Sequence, residues 1–460
     1  MYRQIQIHPD DRRFQNIWWR EHSNEKLRLL QLSTVTYGTR TAPYLATKCP
    51  QTLAINNKSK YPLGAAALET DFYVDDGLCG ANTITEAVEI KNQLINIQTY
   101  KVRKWSANHQ QLLHGISPED QEVDLNLLDE EHTSVKTLGI IWLPKSDHFR
   151  IKVNTETENK VTKRIICSEL ARIFDPVGLV NPVTVQAKMF VQRLWQLQLD
   201  WDETLPEEMH PKWDRFRSKL KELQHIQIPR HVNNQSEKKN PKTTQLHVFC
   251  DASQGVYGVA VYIRSSFPDG TIGVQLLASK SRVAPLKTQL IPRLELCATL
   301  LGANFPTRIK TDLHLEQSKM FLWSDSEITL YWINSEPSKY QVFVANRIVK
   351  IQELTLSEQW RHVSSKLNPA DMLSRGVNPQ DLELETVVIQ IEAILNSRPI
   401  TPQSSDLNDL IALTPGHFLI GEPLTAMQET SSVSSGSLPS RWKASAQIQQ
   451  TFGQDGQRNI

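Results

Sequence analysis

Four acidic residues in the second half of the chain lie where predicted strands end or predicted helices begin: Asp251, Glu295, Asp325 and Asp371. In an alternating α/β unit these positions can meet at one edge of the sheet, so we expect the four carboxylates to lie close together. Such a cluster is costly unless cations neutralise it, and two divalent ions about 4 Å apart would do so. The pattern therefore predicts a site for Mg²⁺ or Mn²⁺.

The first of these acids follows a strand that looks buried. The run LHVFC at 246–250 is nearly all apolar, as expected at the centre of a sheet, and Asp251 comes directly after it. The stretches 255–264 and 273–283 are predicted as the next two strands, which would form a meander with the first.

The next two acids are placed by a helix and by a second strand. Pro292 suits position N1 of a helix, which puts Glu295 in the first turn. There the helix dipole alone could explain a glutamate, although it contributes only about 0.3–1 kcal/mol. The strand at 320–323 leads to Asp325, and Ser326 is predicted to cap the helix that follows.

The fourth acid has a simple local explanation. Asn368 is a good N-cap, Pro369 fits N1, and Asp371 then falls at N3, where acids are common. Taken alone, Asp371 is an ordinary helix-start acid. Taken with the other three it favours a shared site, because four such placements in one α/β unit seldom arise by accident.

A second group of acids occurs early in the chain, in DFYVDDGLCG. Asp75 and Asp76 follow the strand formers at 72–74, and Gly77 could supply the positive φ of a tight hairpin. The two acids could therefore only turn the chain. Alternatively they could hold divalent metal ions, but this needs at least one more carboxylate from another strand.

Composition describes an ordinary globular protein. The 460 residues allow several domains, and 51 basic side chains are balanced by 50 acidic ones, so any nucleic-acid-binding surface must be local. The five cysteines are far apart and include no CxxC, which favours a reducing, intracellular compartment, cytoplasmic or nuclear. No run of about 18 apolar residues and no signal peptide occur, so we expect no membrane partner.

The early acid pair lies in a stretch that resembles a known family. YVDD at 73–76 is similar to the YxDD box of reverse transcriptase palms. Its surroundings resemble the polymerase of Bel-Pao class retrotransposons, and the resemblance extends from Met1 to about Asp381. The segments that carry it are 1–20, 36–49, 101–109, 137–151 and 167–206.

The resemblance implies that Asp75 and Asp76 are metal ligands and that Tyr44 lies near the primer–template; a packed aromatic is the alternative for Tyr44. In that family the first catalytic aspartate precedes the MYRQI segment, with which this chain starts. We therefore expect the fingers and that aspartate to be absent and polymerase activity to be lost.

The later acids resemble a second known set. DAS at Asp251, the helix glutamate Glu295, SDS at Asp325 and NPADMLSRG at Asp371 are similar to the D–E–D–D residues of ribonuclease H. This implies two-metal hydrolysis of the RNA strand of an RNA–DNA hybrid, with Asp251 bridging both ions. Many such enzymes have a histidine in the loop before the last aspartate, where this chain has Lys366.

Basic residues near this set could contact the phosphates of a hybrid, in a salt-dependent manner. They could equally form an ordinary solvated face. They are Lys280, Arg282, Lys287 and Arg293.

These observations predict a multidomain mixed α/β protein, in which an α+β palm remnant precedes a ribonuclease H-like α/β domain. Residues 386–424 resemble a late integrase segment, without the zinc module or catalytic core of an integrase. The region called Pao retrotransposon peptidase in such polyproteins has no DTG or DSG motif here, so the sequence does not support proteolysis. The predicted parts are a palm (1–110), a thumb or connection (111–229), a linker (230–245), the ribonuclease H-like domain (246–380), an integrase fragment (386–427) and a disordered tail (428–460).

Two alternatives to the enzyme remain open. One is a relic that binds RNA–DNA hybrids or other nucleic acid without cutting it. The other is a pseudogene product that does not fold well, because a palm without fingers would expose its core.

Overall fold

The structure is a computed structural model. It describes residues 2–73, 76–81, 83–97, 102–122, 134–137, 140–153, 161–232, 241–313, 315–379 and 382, and the backbone of 401–402 and 412–413. The chain divides into two compact units, residues 1–150 and 151–460. Both mix helices and strands, which confirms the predicted multidomain α/β class. In the described part of the chain, no helix is long and apolar enough to span a bilayer.

The first unit is built from short elements. Its core lies where two helices pack together through Leu68, Leu94 and Ile97. In chain order the elements are β1 (Asn16–Trp19), β2 (Arg28–Gln31), α1 (Ala42–Asn57), α2 (Pro62–Thr70), β3 (Phe72–Tyr73), β4 (Asp76–Gly77), α3 (Ile84–Ile97), β5 (Val135–Thr137), β6 (Ile140–Leu143) and β7 (His148–Arg150).

The hairpin β3–β4 corrects the prediction made for the early acid pair. Phe72 pairs with Gly77 and Tyr73 with Asp76, so Gly77 lies in the returning strand and not in the turn. It does not have a positive φ. A Cβ at Gly77 would lie 2.6 Å from the ring of Phe72, so the close approach of that ring accounts for the glycine.

The second unit begins with a helical segment that has its own core. The elements are α4 (Lys163–Ala171), α5 (Asn181–Gln196), α6 (His210–Lys219) and β8 (Gln227–Pro229). Trp213 is fully buried there, and its indole donates a hydrogen bond to Glu169, which also binds Arg217 at 3.0 Å. The sequence patterns did not indicate this buried ion pair.

A five-stranded sheet follows in the same unit, in the order β11-β10-β9-β12-β13. The strands are β9 (Thr243–Ala252), β10 (Val256–Ser266), β11 (Ile272–Val283), β12 (Lys319–Ser324) and β13 (Trp360–His362). The first three form the predicted antiparallel meander, and β12 lies parallel to both β9 and β13. β9 is therefore the central strand, which explains its apolar sequence.

Helices cover both faces of this sheet. On one face the long helix α7 (Ile291–Asp312) packs with α8 (Glu327–Ile333) and α9 (Val342–Leu354). The short helix α10 (Asp371–Arg375) packs against the other face through Leu373, and α5 lies beside it. Ser326 caps α8 as predicted, because its side chain accepts a hydrogen bond from the backbone N–H of Thr329.

The last predicted parts of the chain are mostly outside the described residues. Of the integrase-like fragment (386–427), only the short strands β14 (Thr401–Pro402) and β15 (Ala412–Leu413) are described. The predicted tail (428–460) lies outside the described residues altogether, and so does most of the predicted linker, at 233–240. These parts stay predictions.

Candidate metal centre

Two aspartates meet at the carboxyl edge of the sheet because their strands are parallel neighbours. Ser324, the last residue of β12, is in register with Cys250 of β9. The next residue on each strand is an aspartate, so Asp251 and Asp325 lie side by side at that edge. This arrangement depends on the parallel pairing of the two strands and on an aspartate directly after each paired residue. Only the positions of the aspartates could be read from the sequence.

The third carboxylate comes from α7, which packs on one face of the sheet. Helix α7 begins at Ile291, so Glu295 is its fifth residue and lies beyond the first turn. The predicted helix-dipole explanation for Glu295 is therefore wrong. Its carboxylate instead accepts a hydrogen bond from the backbone N–H of Ala252, at the end of β9. Asp251, Glu295 and Asp325 each offer an oxygen within 4.8 Å of the others.

The fourth acid lies beside this group of three. Asp371 begins α10, and its Oδ1 binds Nε of Arg375 at 2.6 Å. Burial raises the pKa of Asp371, Arg375 opposes that rise, and the nearby charge of Asp325 adds to it. Asp371 therefore lies close enough to Asp325 to feel its charge, and its own charge is partly balanced by the Arg375 guanidinium.

Asn368 has a different role from the predicted one. Helix α10 starts at Asp371, two residues later than expected, and Asn368 does not cap it. Its buried amide instead donates to the carbonyl of Cys250 at 2.9 Å and lies 3.5 Å from Asp325 Oδ1. Its own oxygen accepts from the N–H of Ala370 at 3.2 Å. Asn368 thus connects the ends of β9 and β12 to the start of α10.

Ser374 is a further residue that the sequence patterns did not indicate. It is fully buried on α10, and its hydroxyl donates a hydrogen bond to Asp251 Oδ2. The motif NPADMLSRG contains this serine, but nothing local in the sequence shows that it reaches a strand more than 120 residues away.

Burial and nearby like charges make Asp251 and Glu295 hard to ionise. Burial raises the pKa of Asp251 to about 7, the Ser374 hydroxyl opposes this, and the charges of Asp325 and Asp371 raise it further. Burial raises the pKa of Glu295 to about 9, with added effects from Asp251 and Asp325. A bound cation would remove this repulsion and favour the ionised carboxylates.

One atom supports the presence of such a cation. Glu295 is only 6% exposed, and its Oε2 is buried without a hydrogen-bond partner among the described residues. A buried, unpaired carboxylate oxygen is costly unless something binds it. All three donors are carboxylates, the ligands that hard divalent cations such as Mg²⁺ and Mn²⁺ prefer. The residues therefore fit a divalent metal site.

Residues 162–326 match the family model for the Pao retrotransposon-like RNaseH-like domain. The matched range contains Asp251, Glu295 and Asp325 and ends before Asp371. It also includes helices α4 to α6 and four of the five strands of the sheet, so the family model spans the helical segment and most of the sheet. This range of the chain is thus similar to the RNase H-like part of a Pao-type retrotransposon protein.

Solved structures of RNase H enzymes are also similar to part of the chain. RNase H1 from Halobacterium salinarum has 14% identity, covering 28% of this chain and 93% of its own, with a TM-score of 0.19. The N-terminal RNase H domain of a Mycobacterium tuberculosis protein has 11% identity, covering 33% and 99%, also with a TM-score of 0.19. A search of curated proteins found no match. Because these TM-scores are low, the solved structures do not carry the assignment of the fold. The RNase H-like fold rests on the strand order, the helix placement and the family match.

The predicted nucleic-acid contacts lie on exposed or half-exposed positions. Lys280 and Arg282 are exposed on the edge strand β11, and Lys287 is exposed in the loop before α7. Lys280 Nζ lies 5.4 Å from the ring centre of Phe305. Arg293 is half-buried, with its guanidinium 5.1 Å from the ring centre of Phe343. Their binding role stays a prediction.

The early candidates belong to the first unit. Tyr44 is exposed on α1, a position open to a ligand, and the packed-aromatic alternative for it is wrong. Asp76 is exposed in β4, and Asp75 lies outside the described residues. Among the described residues the group of three close acids does not include Asp76. A metal site at the hairpin stays a prediction.

Proposed function

We propose that this protein hydrolyses the RNA strand of RNA–DNA hybrids, with Mg²⁺ or Mn²⁺ as cofactor. The observation that carries the proposal is the convergence of Asp251, Glu295 and Asp325 from three separate elements, with ligand oxygens within 4.8 Å of one another. The family match over residues 162–326 supports the choice of an RNase H-type substrate.

Divalent ions held by these carboxylates would activate a water molecule and stabilise the leaving 3′ oxygen of the RNA. The residues of the chain supply the frame for this chemistry. Asp251 on the central strand β9, Glu295 on α7 and Asp325 directly after β12 would hold the ions. Asp371 would complete the set from α10, and Arg375 partly offsets the negative charge that accumulates there.

Substrate binding is assigned to the basic side chains near the site. Lys280, Arg282, Lys287 and Arg293 would contact backbone phosphates, which give affinity without sequence preference. Among the described residues none of the four is in an ion pair with a carboxylate that would neutralise it.

The experiment is cleavage of a hybrid whose RNA strand is labelled at its 5′ end. The full chain with Mg²⁺ or Mn²⁺ is expected to cut the RNA of the hybrid and to spare the same RNA as a single strand. Asp325→Asn should abolish cutting and leave hybrid binding largely intact. Asp312→Asn, the same change at an exposed position on α7, is the matched control and should cut normally. The proposal fails if the unmutated chain does not cut, or if Asp325→Asn cuts as well as Asp312→Asn.

We infer further that the chain is part of a Bel-Pao type polyprotein, with residues 1–110 derived from a reverse transcriptase palm and 386–427 from an integrase. The support is the order of the resembling segments, with the matched range 162–326 between them. If residues 1–110 still bind a primer–template duplex, Tyr44→Ala should weaken that binding, and exposed Tyr331→Ala should not. Equal binding by both variants would contradict the assignment of Tyr44.

A further inference from the structure

Helix α10 is hydrogen-bonded to the end of β9, which carries Asp251 of the proposed metal site. The Ser374 hydroxyl donates to Asp251 Oδ2, and the Ser374 carbonyl accepts a hydrogen bond from the Ser253 hydroxyl at 2.7 Å. Two contacts therefore connect one residue of α10 to the end of β9. Because Ser374 occupies Oδ2 from the protein side, it limits the orientations that the Asp251 carboxylate can adopt.

The residues directly after α10 also contact α5, a helix of the helical segment that precedes the sheet. The backbone N–H of Val377, just after α10, donates to the carbonyl of Pro182 at 2.9 Å. Gly376 ends α10 with φ +78°, and a Cβ there would lie 2.6 Å from Cγ of Gln186 and 3.3 Å from Val185. The turn after α10 therefore fits against α5 only as a glycine.

Helix α5 is in turn fixed to the edge strand β11. The Asn181 amide donates to the carbonyl of Ser279 at 3.0 Å, and the backbone N–H of Ser279 donates to the carbonyl of Val177 at 2.8 Å. Near the other end of α5, the Gln192 amide donates to the carbonyl of Ala284 at 2.6 Å. The helix thus bridges the sheet edge and α10, and it has little freedom to move relative to either.

We propose that Ser374 is a positioning residue for the Asp251 carboxylate, and that helix α5 holds Ser374 in place through Gly376 and Val377. The helical segment before the sheet then helps to orient a metal ligand, although it contributes no ligand itself. This inference rests on the proposed metal site and deepens it, because it names what orients one of its ligands. Partners of metal-ligating side chains commonly affect metal affinity by about 10–100-fold.

The first experiment measures Mn²⁺ binding to the full chain by calorimetry, well below the unfolding temperature. Ser374→Ala is expected to raise the Kd for Mn²⁺ by about tenfold or more. Ser335→Ala, at a residue just after the end of α8 whose hydroxyl donates to the carbonyl of Tyr331, is the matched control and should keep the Kd. A purely structural role would lower the Tm of Ser374→Ala and leave the Kd unchanged, and that result would overturn the proposal.

The second experiment tests the link to α5 with a double-mutant cycle. Gly376→Ala should raise the Kd for Mn²⁺, because its Cβ would displace α10 from Gln186. Adding Gln186→Ala removes the obstructing Cγ and should recover part of the affinity. The backbone strain at a positive φ is the same in both variants, so the recovery reports the α5 contact alone. A double variant as weak as Gly376→Ala would overturn the role assigned to α5.

The outcomes separate this inference from the proposed function. If the unmutated chain binds Mn²⁺ but cuts no hybrid, the proposed function fails, and the Kd values still decide the role of Ser374. If the unmutated chain cuts hybrids and Ser374→Ala keeps the Kd for Mn²⁺, only the present inference fails. If the unmutated chain binds no Mn²⁺, both fail together.

Discussion

The two groups of acids differ in how the fold surrounds them. In the first unit, Asp76 is exposed in a short hairpin, and its sequence neighbour Asp75 lies outside the described residues. In the second unit, Asp251 and Glu295 come from distant parts of the chain, and they are 4% and 6% exposed. Asp76, from the pair that is easier to see in the sequence, is therefore far less buried than Asp251 and Glu295.

This difference shows why neighbouring acids do not by themselves make a metal site. Two carboxylates that are adjacent in sequence cannot by themselves surround a metal ion, so such a pair needs further ligands from elsewhere. In the second unit, the register of β9 with β12 and the packing of α7 on the sheet bring in those ligands. Burial then makes the ionised state costly, and this cost favours cation binding over a water-filled acidic surface.

The largest expected effect contrasts the two groups directly. Asp251→Asn removes a central carboxylate of the proposed site and should reduce cleavage of an RNA–DNA hybrid to background, as measured by product formation in single-turnover reactions. The paired change Asp75→Asn with Asp76→Asn should leave cleavage within about twofold, because the proposed cleavage site is built from Asp251, Glu295 and Asp325. Loss of cleavage in the hairpin variant would break the comparison.

A third buried acid sharpens the comparison. Glu169 is as buried as Glu295 but is paired with Arg217 and Trp213, so its charge is already compensated. Arg217→Met should lower the free energy of unfolding by about 3–5 kcal/mol, because it leaves Glu169 buried without its cation. Urea denaturation measures this.

The control for that change is Arg164→Met, which breaks the exposed ion pair with Asp202. It should change stability little, because exposed pairs are screened by solvent. Equal losses in the two variants would show that the burial of Glu169 and Arg217 does not matter.

The pH dependence of stability should distinguish Glu295, which has no cationic partner among the described residues, from Glu169, which is paired with Arg217. The pKa of Glu295 is raised to about 9 in the folded protein, so the folded state binds more protons than the unfolded state between about pH 5 and about pH 9. The free energy of unfolding should therefore fall as the pH rises through this window when metal is removed by EDTA. Glu295→Gln cannot ionise and should show a shallower fall, measured as Tm against pH.

Added Mn²⁺ should restore the stability of the unmutated chain at about pH 8, because it binds the ionised carboxylates that the metal-free fold tolerates poorly. Glu353→Gln, an exposed glutamate on α9, should keep the original pH slope. Identical slopes in all three proteins would contradict the burial argument for Glu295.

The smallest expected effect concerns the exposed basic residues. The double change Lys280→Ala with Arg282→Ala should weaken hybrid binding a few-fold and make it less salt-dependent, because the salt slope falls by about one unit for each phosphate that is no longer neutralised. Fluorescence anisotropy at several salt concentrations measures this. Lys319→Ala, at the start of β12 and far from its carboxyl edge, is the control. An unchanged salt slope in the double variant would favour the solvated-face interpretation.

Much of the sheet could be predicted because its signals are local. The apolar run at 246–250, the meander and the Ser326 cap each depend on a few neighbouring residues, and the structure confirms them. The positions of Asp251 and Asp325 followed from two strand ends, whereas Glu295, predicted in a first turn, lies beyond it. The family resemblance helped to choose among the alternatives for them.

The remaining features depend on partners distant in sequence. Asn368 has the pattern of an N-cap, but its amide binds the end of β9 instead. Gly77 has the pattern of a turn glycine, but the ring of Phe72 accounts for it. Ser374 and the α5 contacts give no local signal at all. Each prediction failed where a tertiary contact replaced the local explanation.

The central claim is that the fold makes a divalent-cation site from Asp251, Glu295 and Asp325. Its most direct test is calorimetric titration of the full chain with Mn²⁺, alongside Asp251→Asn and Asp76→Asn. We expect saturable binding by the unmutated chain, loss of that binding in Asp251→Asn and no change in Asp76→Asn. Binding that survives Asp251→Asn, or that is lost in Asp76→Asn, would contradict it.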